Sequence, residues 1–144
     1  MKYKKFTSHA KTPTRATEGS AGYALYGSNT YRIEIAPHKT VCIDTSIAVE
    51  IPVGLFAGVF PRSGIATKRG IRLANCVAII DEDYRGSIII PLHNDSDEPQ
   101  YVDPGERIAQ LILLPYYLVD EWEEVDVLSK TDRGDGGFGS SGTV

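Results

Sequence analysis

The sequence predicts an all-β fold, a β-sandwich or jelly roll, carrying one short helix. Three observations point there. Apolar residues recur with the period of a strand, not that of a helix. Gly, Pro, Asp and Asn interrupt these runs at short intervals. Only one stretch carries helix signals. In chain order, Ile33 and Ile35 alternate with other residues, and Pro37 to Lys39 breaks the chain before the next apolar run. Val41, Ile43, Thr45, Ile47, Val49 and Ile51 predict one long half-buried strand. Pro52-Val53-Gly54 opens a further strand over Leu55 to Phe60. Ser63 to Arg69 is the helix candidate, with Ser63 able to cap it and Gly70 as its stop. Ile71 to Ile80 and Ser87 to Leu92 flank the polar turn Asp81 to Gly86 and predict a hairpin. Asp103-Pro104-Gly105-Glu106 is a tight turn into a strand over Arg107 to Leu114. Val119, Trp122, Val125 and Val127 continue the β pattern loosely. After about Ser129 the composition turns glycine-rich, so a β-domain over 1–128 and a C-terminal arm over 129–144 are expected.

A chain of 144 residues is long enough for one domain with its own core. A net charge of -4 and the lack of a basic stretch argue against nucleic acid or an anionic membrane as partner. Cys42 and Cys76 lie in apolar runs without C-x-x-C spacing or a disulfide framework, which fits a reducing compartment. His9, His38 and His93 are scattered, without metal-ligand spacing. The opening MKYKKFTSHAK lacks the apolar run of a signal peptide. Leu111 to Pro115 is far too short to span a membrane. An intracellular protein, in cytoplasm or nucleus, is expected.

The stretch Arg133 to Gly142 reads RGDGGFGSSG. Its backbone is too free to build a core, but it is suited to closing over a nucleotide. Glycine N–H groups can converge on phosphate. Arg133 can fork onto a phosphate, and Phe138 can stack on a base. Ser140 and Ser141 can donate to phosphate oxygens. A flexible terminus explains the same composition, and the residues alone leave both readings open. Gly134, Gly136 and Gly139 match G-x-G-x-x-G, but that fingerprint needs a strand before it and a helix after it. No Rossmann fold is expected, and without G-K-[ST] there is no P-loop.

Asp81 follows the apolar run Val77 to Ile80, where a strand emerges into a turn. A carboxylate there suits a general base activating water; Asp and Gly are equally ordinary turn formers. Tyr84 is spaced to pack under a sugar ring. Arg85 suits a salt bridge at the surface or between subunits. Arg62, Ser63 and Gly64 lie between a strand and the short helix, where a positive charge and unpaired N–H groups suit an anion or an ordinary capped turn. Asn75 and the backbone through Ala78 to Ile80 can read a base edge as an added strand does, or form a plain ladder. Gln110 is a polar residue in an apolar strand and must find a partner.

Together and in this order these segments resemble the trimeric deoxyuridine triphosphatases (dUTPases). Five motifs carry the resemblance: SAGYALYG at Ser20 to Gly27, PRSGIA at Pro61 to Ala66, NCVAIIDEDYRG at Asn75 to Gly86, GERIAQL at Gly105 to Leu111, and RGDGGFGSSG. They span nearly the whole chain. The resemblance implies an all-β jelly roll of the dUTPase type. It implies a homotrimer with shared active sites, each closed by a neighbour's C-terminal arm. Asp81 matches the residue that activates water. Tyr84 matches the ring under deoxyribose, which rejects a 2′-hydroxyl. Asn75, Ala78 and Ile80 match the uracil-reading segment. Arg62, Ser63, Gly64 and Gln110 match phosphate contacts. Arg133, Phe138, Gly139, Ser140 and Ser141 match the lid, with Phe138 over uracil. Mg²⁺ is implied, held through the substrate phosphates and waters without protein ligands.

The expected reaction is dUTP plus water to dUMP and pyrophosphate. The sequence departs from the motifs in three places. Ala24 stands where the first motif carries an acid of the polar network near the phosphates. Ala78 stands where Gly is usual, and Ser141 where Thr is frequent. A dCTP deaminase of the same fold is one alternative, which would be expected to lack the Gly-Phe-Gly lid and to use a glutamate base. Ala24 keeps a second alternative open, a catalytically weakened regulatory or nucleotide-sensing protein on this fold.

Overall fold

The computed structural model describes residues 1–119 and 121–137. Among them are eleven strands and one helix. They run β1 (Lys2–Lys5), β2 (Tyr23–Tyr26), β3 (Ile33–Ile35), β4 (Thr40–Asp44), β5 (Ile47–Glu50), β6 (Leu55–Phe60), α1 (Ser63–Arg69), β7 (Ile71–Leu73), β8 (Ala78–Ile80), β9 (Ile89–Asn94), β10 (Gln100–Val102) and β11 (Arg107–Pro115). A four-stranded sheet has the order β2-β11-β6-β8, and a three-stranded sheet has the order β4-β9-β7. The pairs β1-β5 and β10-β3 complete the set, and every pairing is antiparallel. Alternate residues point inward, so Leu25, Val59 and Leu111 of one sheet meet Ile43, Leu73 and Ile90 of the other in one buried cluster. Each such side chain contributes about 1.5–3 kcal/mol by leaving water. The all-β expectation with one short helix holds.

Three elements differ from the sequence reading. The run Val41 to Ile51 is two strands, not one. The chain turns at Ser46, whose φ is 51°, and changes partner from β9 to β1. The Asp44 carboxylate accepts the Ser46 N–H at 2.7 Å, and Thr45 Oγ1 donates to Ile88 O at 2.8 Å. Thr45 and Ile47 stay buried through the corner, so the alternation conceals it.

The run Ile71 to Ile80 is also two strands. Cys76, with φ 61°, turns the chain between them, and its N–H donates to Leu73 O at 3.1 Å. β7 pairs with β9, whereas β8 crosses to pair with β6. Asp81 to Gly86 therefore joins two sheets and closes no hairpin.

Val119, Trp122, Val125 and Val127 form no strand, and all four are exposed. Periodicity gives no sign of β1, β2 or β10. β1 is fully exposed and carries no apolar alternation to read. The helix is capped differently as well. Arg62 is the N-cap residue, in extended conformation and without a side-chain cap bond, and Ser63 is the first helical residue. Gly70 ends the helix as expected, at φ 65°. Cys42 and Cys76 are both free and exposed. No helix of the described residues is long and apolar enough to cross a membrane.

Candidate functional site

The register of the four-stranded sheet lays out the candidate residues. Ala24 of β2 faces Gln110 of β11, and Gln110 in turn faces Phe60 of β6. Chain order then delivers Pro61 and Arg62 directly beyond that row. Gln110 finds its partner there: its Nε2 donates to Pro61 O at 2.9 Å. Gly22 makes this possible, since a Cβ at that position would stand 2.6 Å from Gln110 Oε1. Arg62 Nη1 donates to Arg107 O at 3.1 Å. A cavity of about 310 Å³ opens between these strand ends, lined among others by Thr14, Ser20, Gly22, Ala24, Arg62, Arg107 and Gln110. Its side chains offer hydroxyls, an amide and two guanidiniums, and no carboxylate lines it among the described residues. Such a set receives anions. Ser63 and Gly64 follow Arg62 at the start of α1 and are exposed.

The Asn75 to Tyr84 segment forms a second cluster. Asn75 is exposed at the turn before β8, Ala78 is buried and Ile80 is half-buried. β8 is the last strand of its sheet, and no described strand pairs with its outer edge. That edge carries free backbone donors and acceptors. Asp81 is exposed just past β8, and its carbonyl accepts the Tyr84 N–H at 3.2 Å. Tyr84 Oη donates to Ser87 O at 3.0 Å. The ring folds against Gly86, where a Cβ would collide with Tyr84 Oη. Asp81 opens on a cavity of about 630 Å³ shared with Phe56, Ile79, Glu82, Asp83, Tyr116 and Leu118. Glu82 accepts the Gly54 N–H at 2.7 Å. Hydrogen bonding to Glu82 raises the Tyr116 phenol above its ordinary pKa, and the charges of Asp81 and Asp83 add to this. Arg85 Nη1 donates to Glu82 O at 2.6 Å, within its own turn.

The two clusters do not meet on one chain. Ile80 pairs with Ala57, so Asp81 continues β8 to the level of Phe56, while Gln110 pairs with Phe60. Four residues of strand span about 13 Å, and two strand spacings about 10 Å, so roughly 16 Å separates Asp81 from Gln110. Arg133 joins neither cluster; it is exposed and donates to Gly136 O at 2.9 Å within its own turn. Phe138, Gly139, Ser140 and Ser141 lie outside the described residues. Sequence reasoning missed Arg107 as a wall of the anion cavity. The signal available was the apolar pair Ile108-Ala109, which breaks the alternation of β11.

The chain is similar to known proteins over most of its length. A protein-family model described as dUTPase matches residues 8–142. A deoxyuridine 5'-triphosphate nucleotidohydrolase of Desulfitobacterium hafniense is 46% identical over 133 residues, covering 92% of this chain and 87% of that protein. The enzyme of the same name from Escherichia phage T5 is 44% identical over 136 residues, covering 91% of each. Among solved structures, the Staphylococcus bacteriophage 80alpha dUTPase with dUPNHPP superposes with a TM-score of 0.90 at 27% identity, covering 99% of this chain and 98% of that one.

Proposed function

This chain belongs to the dUTPase family, and from that premise we propose that it is a dUTP diphosphatase, hydrolysing dUTP to dUMP and pyrophosphate. The observation that carries the reading to its residues is the cavity where Arg62 and Gln110 converge beside Ala24. It has the chemistry of a polyphosphate seat. Asp81 takes a proton from water as that water attacks the α-phosphorus, and the bond from the α-phosphorus to the bridging oxygen breaks as pyrophosphate leaves. Arg62, Ser63, Gly64 and Gln110 hold the phosphates and oppose their developing charge. The open edge of β8, from Asn75 through Ala78 and Ile80, reads the uracil edge. Tyr84 lies under the deoxyribose. Arg133, Phe138, Gly139, Ser140 and Ser141, within an arm over 129–144, close over the nucleotide.

Magnesium fits this donor set in one way. No group of three or more His, Cys, Asp or Glu side chains suited to a metal occurs among the described residues. The hydroxyls of Thr14 and Ser20 suit a metal's water shell. Mg²⁺ would therefore arrive with the triphosphate and keep its waters, neutralising phosphate charge when bound.

The same geometry supports a homotrimer with shared sites as part of this reading. Asp81 and the anion cavity lie too far apart on one chain to act on one phosphorus, so a neighbouring copy supplies the missing half. The exposure of Tyr117 (94%), Leu118 (76%) and Trp122 (92%) supports this, because a lone chain would leave that apolar stretch in water. The deciding experiment is turnover with dUTP, dCTP and UTP, following pyrophosphate and ammonia. Pyrophosphate from dUTP alone is expected. Ammonia from dCTP would favour a deaminase, and no turnover with tight dUTP binding would favour a nucleotide sensor. Asp81→Asn should keep the fold and nucleotide binding and lower kcat about 10²–10⁴-fold. Near-normal kcat in that variant would remove Asp81 from the role of base.

A further inference from the structure

Arg107 sits in β11, whose inward face is core. In a regular strand Arg107 would share a face with Ala109 and Leu111, which are both buried. It does not. The pairing of β11 with β2 slips between Arg107 and Ala109: Arg107 faces Tyr26, while Ala109 faces Leu25. One extra residue is thereby accommodated, and such a bulge re-aims the side chains around it. Ile108 and Ala109 both turn into the core, at 0% exposure each. Arg107 turns to the side of Gln110 and Ile112, where it lines the cavity of about 310 Å³. Its carbonyl accepts Arg62 Nη1 at 3.1 Å, which holds the two arginines together. Among the described residues neither forms an ion pair and no Asp or Glu lines the cavity. Two guanidiniums around one cavity repel each other and present separate forks. An anion with two adjacent charged centres, a diphosphate, satisfies both.

We propose that Arg107 is a second anion-binding arginine, which with Arg62 clamps the diphosphate end of the nucleotide and the pyrophosphate product, and that the clamp works without a metal. The inference rests on the function proposed above, and it adds a residue and a ligand to that site. Titration calorimetry with inorganic pyrophosphate in excess EDTA tests it. The unaltered protein should bind, and Arg107→Gln should weaken binding on the order of tenfold or more, as for one lost charge-assisted contact. Ala24→Asp should also weaken it, because a carboxylate in the cavity repels the ligand and pairs with a guanidinium. Arg32→Gln, a charge removed outside the cavity, should change nothing. dUMP, which has no terminal phosphates, should bind Arg107→Gln as it binds the unaltered protein.

Three results would overturn the clamp. One is no pyrophosphate binding by the unaltered protein in EDTA. A second is equal binding by Arg107→Gln. The third is a parallel loss of dUMP binding, which would make Arg107 structural. Each is separable from failure of the functional reading, because dUTP turnover is measured on the same preparations.

Discussion

Coexpression of two inactive variants, Asp81→Asn and Arg62→Gln, should restore turnover that neither has alone. The register of β6 sets the distance between the two residues' clusters. Gln110 pairs with Phe60, and Ile80 pairs with Ala57, which sets Asp81 level with Phe56. The resulting separation of roughly 16 Å exceeds what a base and a phosphate clamp acting on one phosphorus can bridge. On the proposed shared site, each working site takes Asp81 from one copy and Arg62 from another. In randomly mixed trimers at equal dose, half the copies retain each residue, so about one quarter of the sites receive both intact. Recovery should approach a quarter of the unaltered rate, against parents reduced about 10²–10⁴-fold. The assay is pyrophosphate release from coexpressed, doubly tagged protein, with light scattering to establish three copies per particle. Recovery no greater than the sum of the parents in verified mixed trimers would refute the shared site, because Asp81 and Arg62 would then serve one site from one chain.

Truncation after Ser129 should abolish most turnover and leave Tm nearly unchanged. Residues 130–137 are almost all exposed, and among the described residues Arg133 and Gly134 bond only within their own turn; a large fall in Tm would make the arm structural. Phe138→Ala should cost on the order of 1–3 kcal/mol in nucleotide binding, the worth of one base–aromatic stack. Gly22→Ala should raise KM for dUTP several-fold with little change in Tm. The new Cβ displaces Gln110 Oε1 and disturbs the bond to Pro61 O, worth about 1 kcal/mol; an unchanged KM would separate Gln110 from phosphate binding. Hydrogen bonds lower the pKa of Glu50, through Lys2, and of Asp103, through Arg32. Folded-state values below the unfolded ones add stability that is present above the unfolded pKa and lost as pH falls through the folded pKa. Arg32→Gln should therefore lower Tm slightly at neutral pH and not in strong acid, since the pair is exposed.

The parts of the fold legible in the sequence are those where local chemistry decides. Leu55 to Phe60, Ser63 to Arg69 and Arg107 onward appear nearly where their periodicity and turn residues put them. Gly70 stops the helix because it adopts a conformation that costs glycine little. The corners at Ser46 and Cys76 are illegible for the complementary reason. Both take positive φ without being glycine, and the local hydrogen bonds that hold them leave no trace in composition. Strand alternation says which face is buried but not which strand lies alongside, so the sequence alone gives β8 the wrong neighbour. The same blindness hides the distance between Asp81 and Arg62, which is a fact of register. Arg62, Gln110 and Ala24 are legible through motif order, whereas Arg107 needs the bulge at Ile108 to be seen.

Arg69 ends α1, the helix that begins beside Arg62, and reaches to the turn that launches Arg107. Its Nη1 lies 2.5 Å from Glu106 Oε1, its Nη2 donates to Tyr101 O, and Glu106 Oε2 accepts the Asp103 N–H at 3.0 Å. The segments bearing the two cavity arginines are thus bolted to each other by residues that do not line the cavity. Folding meets the cost of orienting them, and binding does not. A rigid jaw of this kind sets residence time more than capture rate. Loosening the bolt with Arg69→Ala would speed product departure while leaving every ligand-facing atom in the protein.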